Sequence, residues 1–284
     1  MLKKSLALAL ALLLTLSVFS GCSVHVDLNI DQEKTPPETQ SAETKPTATE
    51  PPTEATEPPV VIDYDNLVCD AYSDVITETV YGYESTFCYH IPQFNLPDDR
   101  AKEANDKIYT ELYAILDEKV YHTEAEYPWI SLMHYNWGAN GRVASVVIRT
   151  SMTDYDWTTY QAYTISLETG KVLSAAEVAA AFDLTEEGFY DTVRDTMTRY
   201  WKAQKEEMLK QGSFLEEMID ELANQTLADE NVRDAVPYIN RDGELCFIAM
   251  LASPAGAGAY YHLWNTGEEI HEEFVRCDLE HPAQ

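Results

Sequence analysis

Hydrophobic residues are not spread evenly along this chain of 284 residues. Beyond Val60 they fall into short β-branched and aromatic runs, or into stripes spaced three or four apart. The first run, "DVITETVYGYESTFCYHI" (74–91), predicts two strands turning near Gly82. "PDDRAKEANDKIYTELYAILDEKV" predicts a helix: Pro97 and Asp98 suit its first turn, and Ala101, Asn105, Ile108, Leu112 and Ile115 share one face. "WISLMHYNW" and "RVASVVIRTSM" flank "GANG" as a hairpin, and "TTYQAYTISL" ends in the tight turn "ETG". Three helical stretches follow: "KVLSAAEVAAAF", then "LTEEGFYDTVRDTMTRYWKAQKEEM" capped by Thr185, then "SFLEEMIDELANQ" with a capping box from Ser213 to Glu216. In the second of these, Phe189, Val193, Met197, Tyr200 and Trp201 form the buried stripe. "VPYIN" and "ELCFIAMLA", joined through Asp242–Gly243, and "AYYHLWN" read as closing strands. Hairpin-joined strands interleaved with helices predict an α+β fold, antiparallel sheets packed with several amphipathic helices. No repeat of fixed period stands out.

The first sixty residues follow other rules. Lys3 and Lys4 precede an apolar run of 15 residues, Ser5–Phe19, whereas a spanning helix needs roughly 20. Ser20 and Gly21 then lead to Cys22. The pattern resembles the bacterial lipoprotein signal, with Phe19 where that signal usually has Leu. The resemblance implies that residues 1–21 are removed and that the Cys22 thiol is acylated at the new N-terminus. The competing readings are an uncleaved anchor or an ordinary secretory signal. Residues 22–59 then form a Pro/Thr/Glu-rich tether: from Asp31 to Pro59 there is no aromatic residue and almost no large aliphatic one. Such a segment cannot bury enough surface to offset the entropy of ordering, so it is expected to be disordered. These 29 residues would reach up to roughly 90 Å at about 3 Å each in an extended polyproline form.

Charge narrows the partners. The formal net charge is -30. Lys3 and Lys4 supply two positive charges, and Ser23–Pro59 holds eight acids against two bases, so Val60–Gln284 carries -26. Such a domain repels nucleic acid and anionic lipid. It suits a cationic partner, a bound cation, or simply solubility beside a membrane. Residues 60–284 are enough for one substantial domain, or for two subdomains near 60–125 and 126–284. Once Cys22 is modified, Cys69, Cys88, Cys246 and Cys277 allow two disulfides in three connectivities, or buried thiols. No CxxC pair suggests zinc or thioredoxin-like chemistry.

From Tyr81 onward the chain resembles an extracytoplasmic module of lysozyme-sensing anti-sigma factors, also found beside the catalytic domain of some peptidoglycan deacetylases. The resemblance is carried by "YHIPQF", "DDRAKEANDKIYTEL", "YQAYTISLETGKVLSAAEVA" and "YINRDGELCFIAMLASPAGAG". It implies the fold and a surface-binding role. Where the family often has Gly-Gly-x-His, this chain has "DYDWTTYQAY", so any contact role of that segment is not carried over.

Catalytic patterns are scarce. There is no GxSxG, no GxxxxGK[ST] and no HExxH. "HEEF" at His271–Phe274 lacks a second His, and no Lys follows the Gly-rich "SPAGAGAYYHLW". His90, His122, His134 and His262 are scattered, and Asp154 and Asp156 lack calcium-loop spacing. No catalytic residue, metal ligand or cofactor is assigned. Aromatic residues are the better candidates. On a strand, Trp129, Met133, Tyr135 and Trp137 would share a face, as would Trp157, Tyr163 and Ile165. Such a face either forms core or stacks on a ligand, and Tyr155 and Trp157, at a loop–strand junction, are the least core-like. The expected function is a non-catalytic, acidic ligand-binding lipoprotein on the outer face of the bacterial cytoplasmic membrane. Its expected partner is an extracellular protein, with a cationic lysozyme-type hydrolase suggested by the resemblance. The alternative is a cell-wall glycan-binding module, or an accessory domain in peptidoglycan modification.

Overall fold

The computed structural model describes residues 61–153, 158–212, 215–253, 259–265 and 268–269. They belong to one compact unit, Pro58–Gln284. The fold is α+β and is built on two sheets. β1 (Val68–Val80), β2 (Tyr83–Phe94), β3 (Ile130–Ala139), β4 (Val143–Met152) and β5 (Thr158–Ser166) form the first, in chain order. β6 (Val236–Ile239), β7 (Leu245–Ala252), β8 (Ala259–Asn265) and β9 (Glu268–Glu269) form the second, also in chain order. Every described pairing is antiparallel except β2 with β3. The exception has a physical cause. The connection between those strands contains α1 (Lys102–Leu116), which carries the chain back across the sheet face before β3 begins.

The buried residues sort into layers. Phe87, Tyr89 and Ile91 of β2, Met133 and Tyr135 of β3, and Ala144, Val146 and Ile148 of β4 point to the face covered by α1. They meet Ala104, Ile108, Leu112 and Leu116, which are 1% exposed or less. Val147 on the opposite face of β4 packs instead with Tyr238, Cys246, Ile248 and Leu263 of the second sheet. The outer face of that sheet, with Phe247, Ala249 and Trp264, is covered by α2 (Ala175–Ala181) and α3 (Glu186–Gln211). The order is therefore helix, sheet, sheet, helices. Deep in the inter-sheet layer, Ser145 Oγ lies 2.6 Å from Thr164 Oγ1 and accepts from Ile239 N at 2.9 Å. That satisfies a strand-edge amide that stacking would otherwise strand.

Several local signals act as read from the sequence. Thr185 accepts from Gly188 N at 3.0 Å and caps α3, whose Phe189, Val193, Met197 and Trp201 are buried. α4 (Glu216–Thr226) corrects the expected capping box: its N-cap is Leu215, with no side-chain cap. Glu216 is the first helical residue, and its carboxylate pairs with Lys205 at 2.8 Å. Ser213 lies outside the described residues. Asn105, expected on the buried stripe of α1, instead clasps Phe94 by both backbone groups at 2.8 Å and pins the helix to the end of β2. A short α5 (Asp229–Arg233) has no counterpart in the sequence reading. A boundary near 125/126 would separate β2 from β3 within a single sheet.

The cysteines, for which disulfides and buried thiols were both open, show both states. Cys69 and Cys246 carry thiols, whereas Cys88 is disulfide-bonded. Cys69 faces Gln93 in the first sheet and Cys246 faces Tyr238 in the second, so they sit in different layers. Cys22 and Cys277 lie outside the described residues, as do residues 1–60.

Candidate functional site

β1 and β2 form a hairpin closed by Tyr81 and Gly82, both in the left-handed region with φ of 52° and 82°. A two-residue turn needs this geometry to match strand twist, and normally uses Asn, Asp or Gly at its first position. A tyrosine there carries backbone strain of about 1 kcal/mol. Its ring is 74% exposed, so the core does not require it. Strain without burial marks a position worth testing for function.

The Tyr81 ring leans edge-on to Tyr127, with centroids 5.5 Å apart and hydroxyls 2.5 Å apart. Together with Trp129, Met152, Thr153 and Glu126 they line an open groove of about 440 Å³. That volume falls within the usual range for ligand sites, roughly 300–1,000 Å³. The loop carrying Tyr127 and Trp129 is held at both ends: Trp129 N donates to Lys119 O at 2.9 Å, and Thr153 N donates to Trp129 O at 2.9 Å. Thr153 Oγ1 also donates to Pro128 O at 2.5 Å. Trp129 is 49% exposed, and Lys119 Nζ sits 5.3 Å from its ring centroid. The indole face thus already holds a cation. Glu78, Glu84, Glu124 and Glu126 are all exposed on the hairpin tip and this loop.

Further along β1 the phenols form a second cluster. Tyr121 OH donates to Asp74 Oδ2 at 2.8 Å, and the Tyr72 and Tyr121 hydroxyls are 2.7 Å apart. Tyr113 stacks on Tyr109 and Tyr121, while Tyr72 meets Tyr113 edge-on. Burial, followed by the Tyr72 hydrogen bond, pushes the Tyr121 hydroxyl far above the ordinary phenol range. Burial likewise raises Tyr89 and Tyr72. These hydroxyls are therefore held protonated, and they tie β1 to the segment just after α1 and β2 to the start of β3.

The expected shared face of Trp129, Met133, Tyr135 and Trp137 is split. An irregularity between Ile130 and Leu132 resets the alternation. Met133 and Tyr135 are buried against α1, Trp137 packs at the edge of that core, and Trp129 points out. Tyr163 and Ile165 are core. Tyr155 and Trp157 lie outside the described residues, immediately after the groove residue Thr153. Tyr81 and Tyr127 were missed as site residues. The signal for Tyr81 was a tyrosine directly before the turn glycine; Tyr127 had none.

Of the scattered histidines, His90 and His134 do meet, with ring centroids 5.8 Å apart. Exposed His122 pairs with Asp117 at 2.9 Å, and His262 lies beside Trp264. Among the described residues no group of three or more His, Cys, Asp or Glu is placed to hold a metal ion. A second concavity of about 280 Å³ contains Arg233 and Tyr190, but Arg233 is held by both carboxylate oxygens of Glu187 at 3.0 and 3.1 Å. No family model matches this chain, and no curated protein does.

Proposed function

We propose that this protein is a membrane-anchored surface lipoprotein whose acidic domain binds a cationic extracellular protein at the aromatic groove. The observation that carries the reading is the groove trio, exposed Tyr81 and Trp129 with half-buried Tyr127, beside exposed carboxylates on a domain of net charge -26. Ring faces and carboxylates together suit Arg and Lys side chains. A cation over an aromatic ring contributes about 0.5–2 kcal/mol, increasing with desolvation. The surrounding negative field would steer a basic partner to the site. Lys119 over Trp129 shows that this ring face accepts an ammonium. Tyr155 and Trp157, next to Thr153, are assigned as further contacts. The reading assigns no catalytic step. Cys22 is its lipid attachment point, residues 22–59 its tether, and the outer face of the cytoplasmic membrane its location.

The resemblance to lysozyme-sensing modules makes a lysozyme-type hydrolase the first partner to try. Calorimetry of the mature chain with such a protein should give heat at low salt that fades as salt rises, and much less heat for Trp129→Ala. No heat at low salt would remove this partner. Flat, exposed ring faces also favour a second reading, stacking on cell-wall sugars. That reading expects weak retention on purified peptidoglycan that persists at high salt.

A further inference from the structure

Two walls of the aromatic groove, the Tyr81 and Tyr127 rings, stand at 64° to one another and so form a corner. The contact between their hydroxyls, at 2.5 Å, fixes that corner in place. The Trp129 indole and the Met152 thioether add soft, polarisable surface. Glu126 is the one charged side chain among the described lining residues. The lining hydroxyls are already engaged, the two phenols with each other and Thr153 Oγ1 as a donor to Pro128 O. Rings and one carboxylate are therefore the main means of holding a ligand here. Lys119, whose ammonium lies 5.3 Å from the Trp129 ring centroid and 2.6 Å from Glu118 Oε1, shows the attraction of this ring for a cation.

That balance of rings and acceptors selects among cations. A primary ammonium carries three N–H donors and a tight hydration shell, and one carboxylate cannot replace the water it would lose. A quaternary ammonium has no N–H to satisfy, and aromatic faces suit its methyl-covered charge. A lysine borne by a protein escapes the handicap, because contacts elsewhere on that protein add to its affinity. A free cation has only the groove. We propose that the groove is also a binding site for a free choline-type monocation. Its trimethylammonium head packs against Tyr81, Tyr127 and Trp129, and Glu126 offsets its charge. The inference rests on the preceding reading only in taking the groove as a cation site; its ligand is a small molecule. Exposed Glu78, Glu84 and Glu124 narrow the class further. Betaine or a phosphocholine head would bring its own anion toward these carboxylates, and free choline would not.

The test is calorimetry of the full mature chain with tetramethylammonium and with methylammonium. Total ionic strength is held fixed, so the general negative field acts equally on both. Tetramethylammonium is expected to bind about tenfold tighter or more, a gap the size of one partly desolvated cation–ring contact. Choline should follow tetramethylammonium closely, and glycine betaine and phosphocholine should each bind more weakly. Tyr81→Asn, which removes one ring, should weaken tetramethylammonium by about tenfold, whereas Tyr81→Phe keeps the ring and most of the affinity. Glu126→Gln, a change at an exposed position, should weaken choline more than betaine, and it serves if the asparagine variant does not fold. Equal affinity for tetramethylammonium and methylammonium would overturn the proposal. So would binding unchanged in folded Tyr81→Asn, or phosphocholine binding more tightly than choline. No heat from tetramethylammonium would also overturn it, while leaving the protein-binding reading to its own lysozyme experiment. Absence of lysozyme heat beside intact choline binding would remove that reading and support this one.

Discussion

Hairpins β1–β2 and β6–β7 are built from the same kind of turn-linked strand pair, yet the fold uses them in opposite ways. β6 and β7 are covered on one face by the first sheet and on the other by α3. Cys246, Phe247, Ile248 and Ala249 in succession are buried, so alternation disappears from the sequence. β1–β2 forms an edge of its sheet. Its inner half is gripped by α1 and the phenol cluster, and its tip, with Tyr81 and Tyr83 at 74% and 76% exposure, is not covered. Where two layers close on a strand, shape complementarity dictates the residues. Where nothing closes on it, that demand is lifted, and the exposed Tyr81 side chain lines the groove instead.

Breaking the covered hairpin should cost most. Gly138→Ala would place a Cβ inside the backbone carbonyl of Asn240, where β3 passes the end of β6. A loss of about 4 kcal/mol or more is expected, read as a large drop in the denaturant midpoint. Trp264→Ala, at a site stacked on Phe247 and met edge-on by Tyr200, should cost about 3–5 kcal/mol by the same measurement. Ser145→Ala leaves Ile239 N without its acceptor and should cost about 1–3 kcal/mol.

The other hairpin should respond to pH instead. Phenols whose folded pKa lies above the unfolded value stabilise fully below about pH 10, and that contribution is lost as pH rises beyond it. Thermal midpoints of wild type should therefore fall on the alkaline side, and fall less steeply in Tyr121→Phe. The smallest stability effect belongs to Tyr81→Asn. It relieves the left-handed strain, so stability should hold or rise by about 1 kcal/mol while binding of the basic partner weakens. A variant that keeps full binding would detach the turn from the site.

The strands around Gly82 and the hairpin through "GANG" were legible because strong β formers flank short turns. The N-terminus of α3 was legible because Thr185 offers a side-chain acceptor where the helix has spare amides. These are local interactions, written within a few residues. The expected box at Ser213–Glu216 puts Glu216 in the third helical position, whereas α4 begins at Glu216 with Leu215 as its N-cap, and there Glu216 pairs with Lys205 of α3, 11 positions earlier in the chain. Trp129 was misaligned because a strand irregularity, set by pairing with β4, shifted the side-chain parity.

What the sequence determined by itself is most of the longer elements, the signal-like N-terminus, the acidic balance and the absence of familiar catalytic patterns. Each depends on composition or on neighbours along the chain. Tertiary structure alone decided that β2 and β3 run parallel, that the second sheet stacks on β4 and β5, and that Tyr81 meets Tyr127 across 46 positions. It also decided that Asp70 reaches His90 beside Cys88. These arrangements follow from which apolar faces cover one another once the helices and strands exist. That choice is made by burial, which is non-directional and leaves no local motif in the sequence.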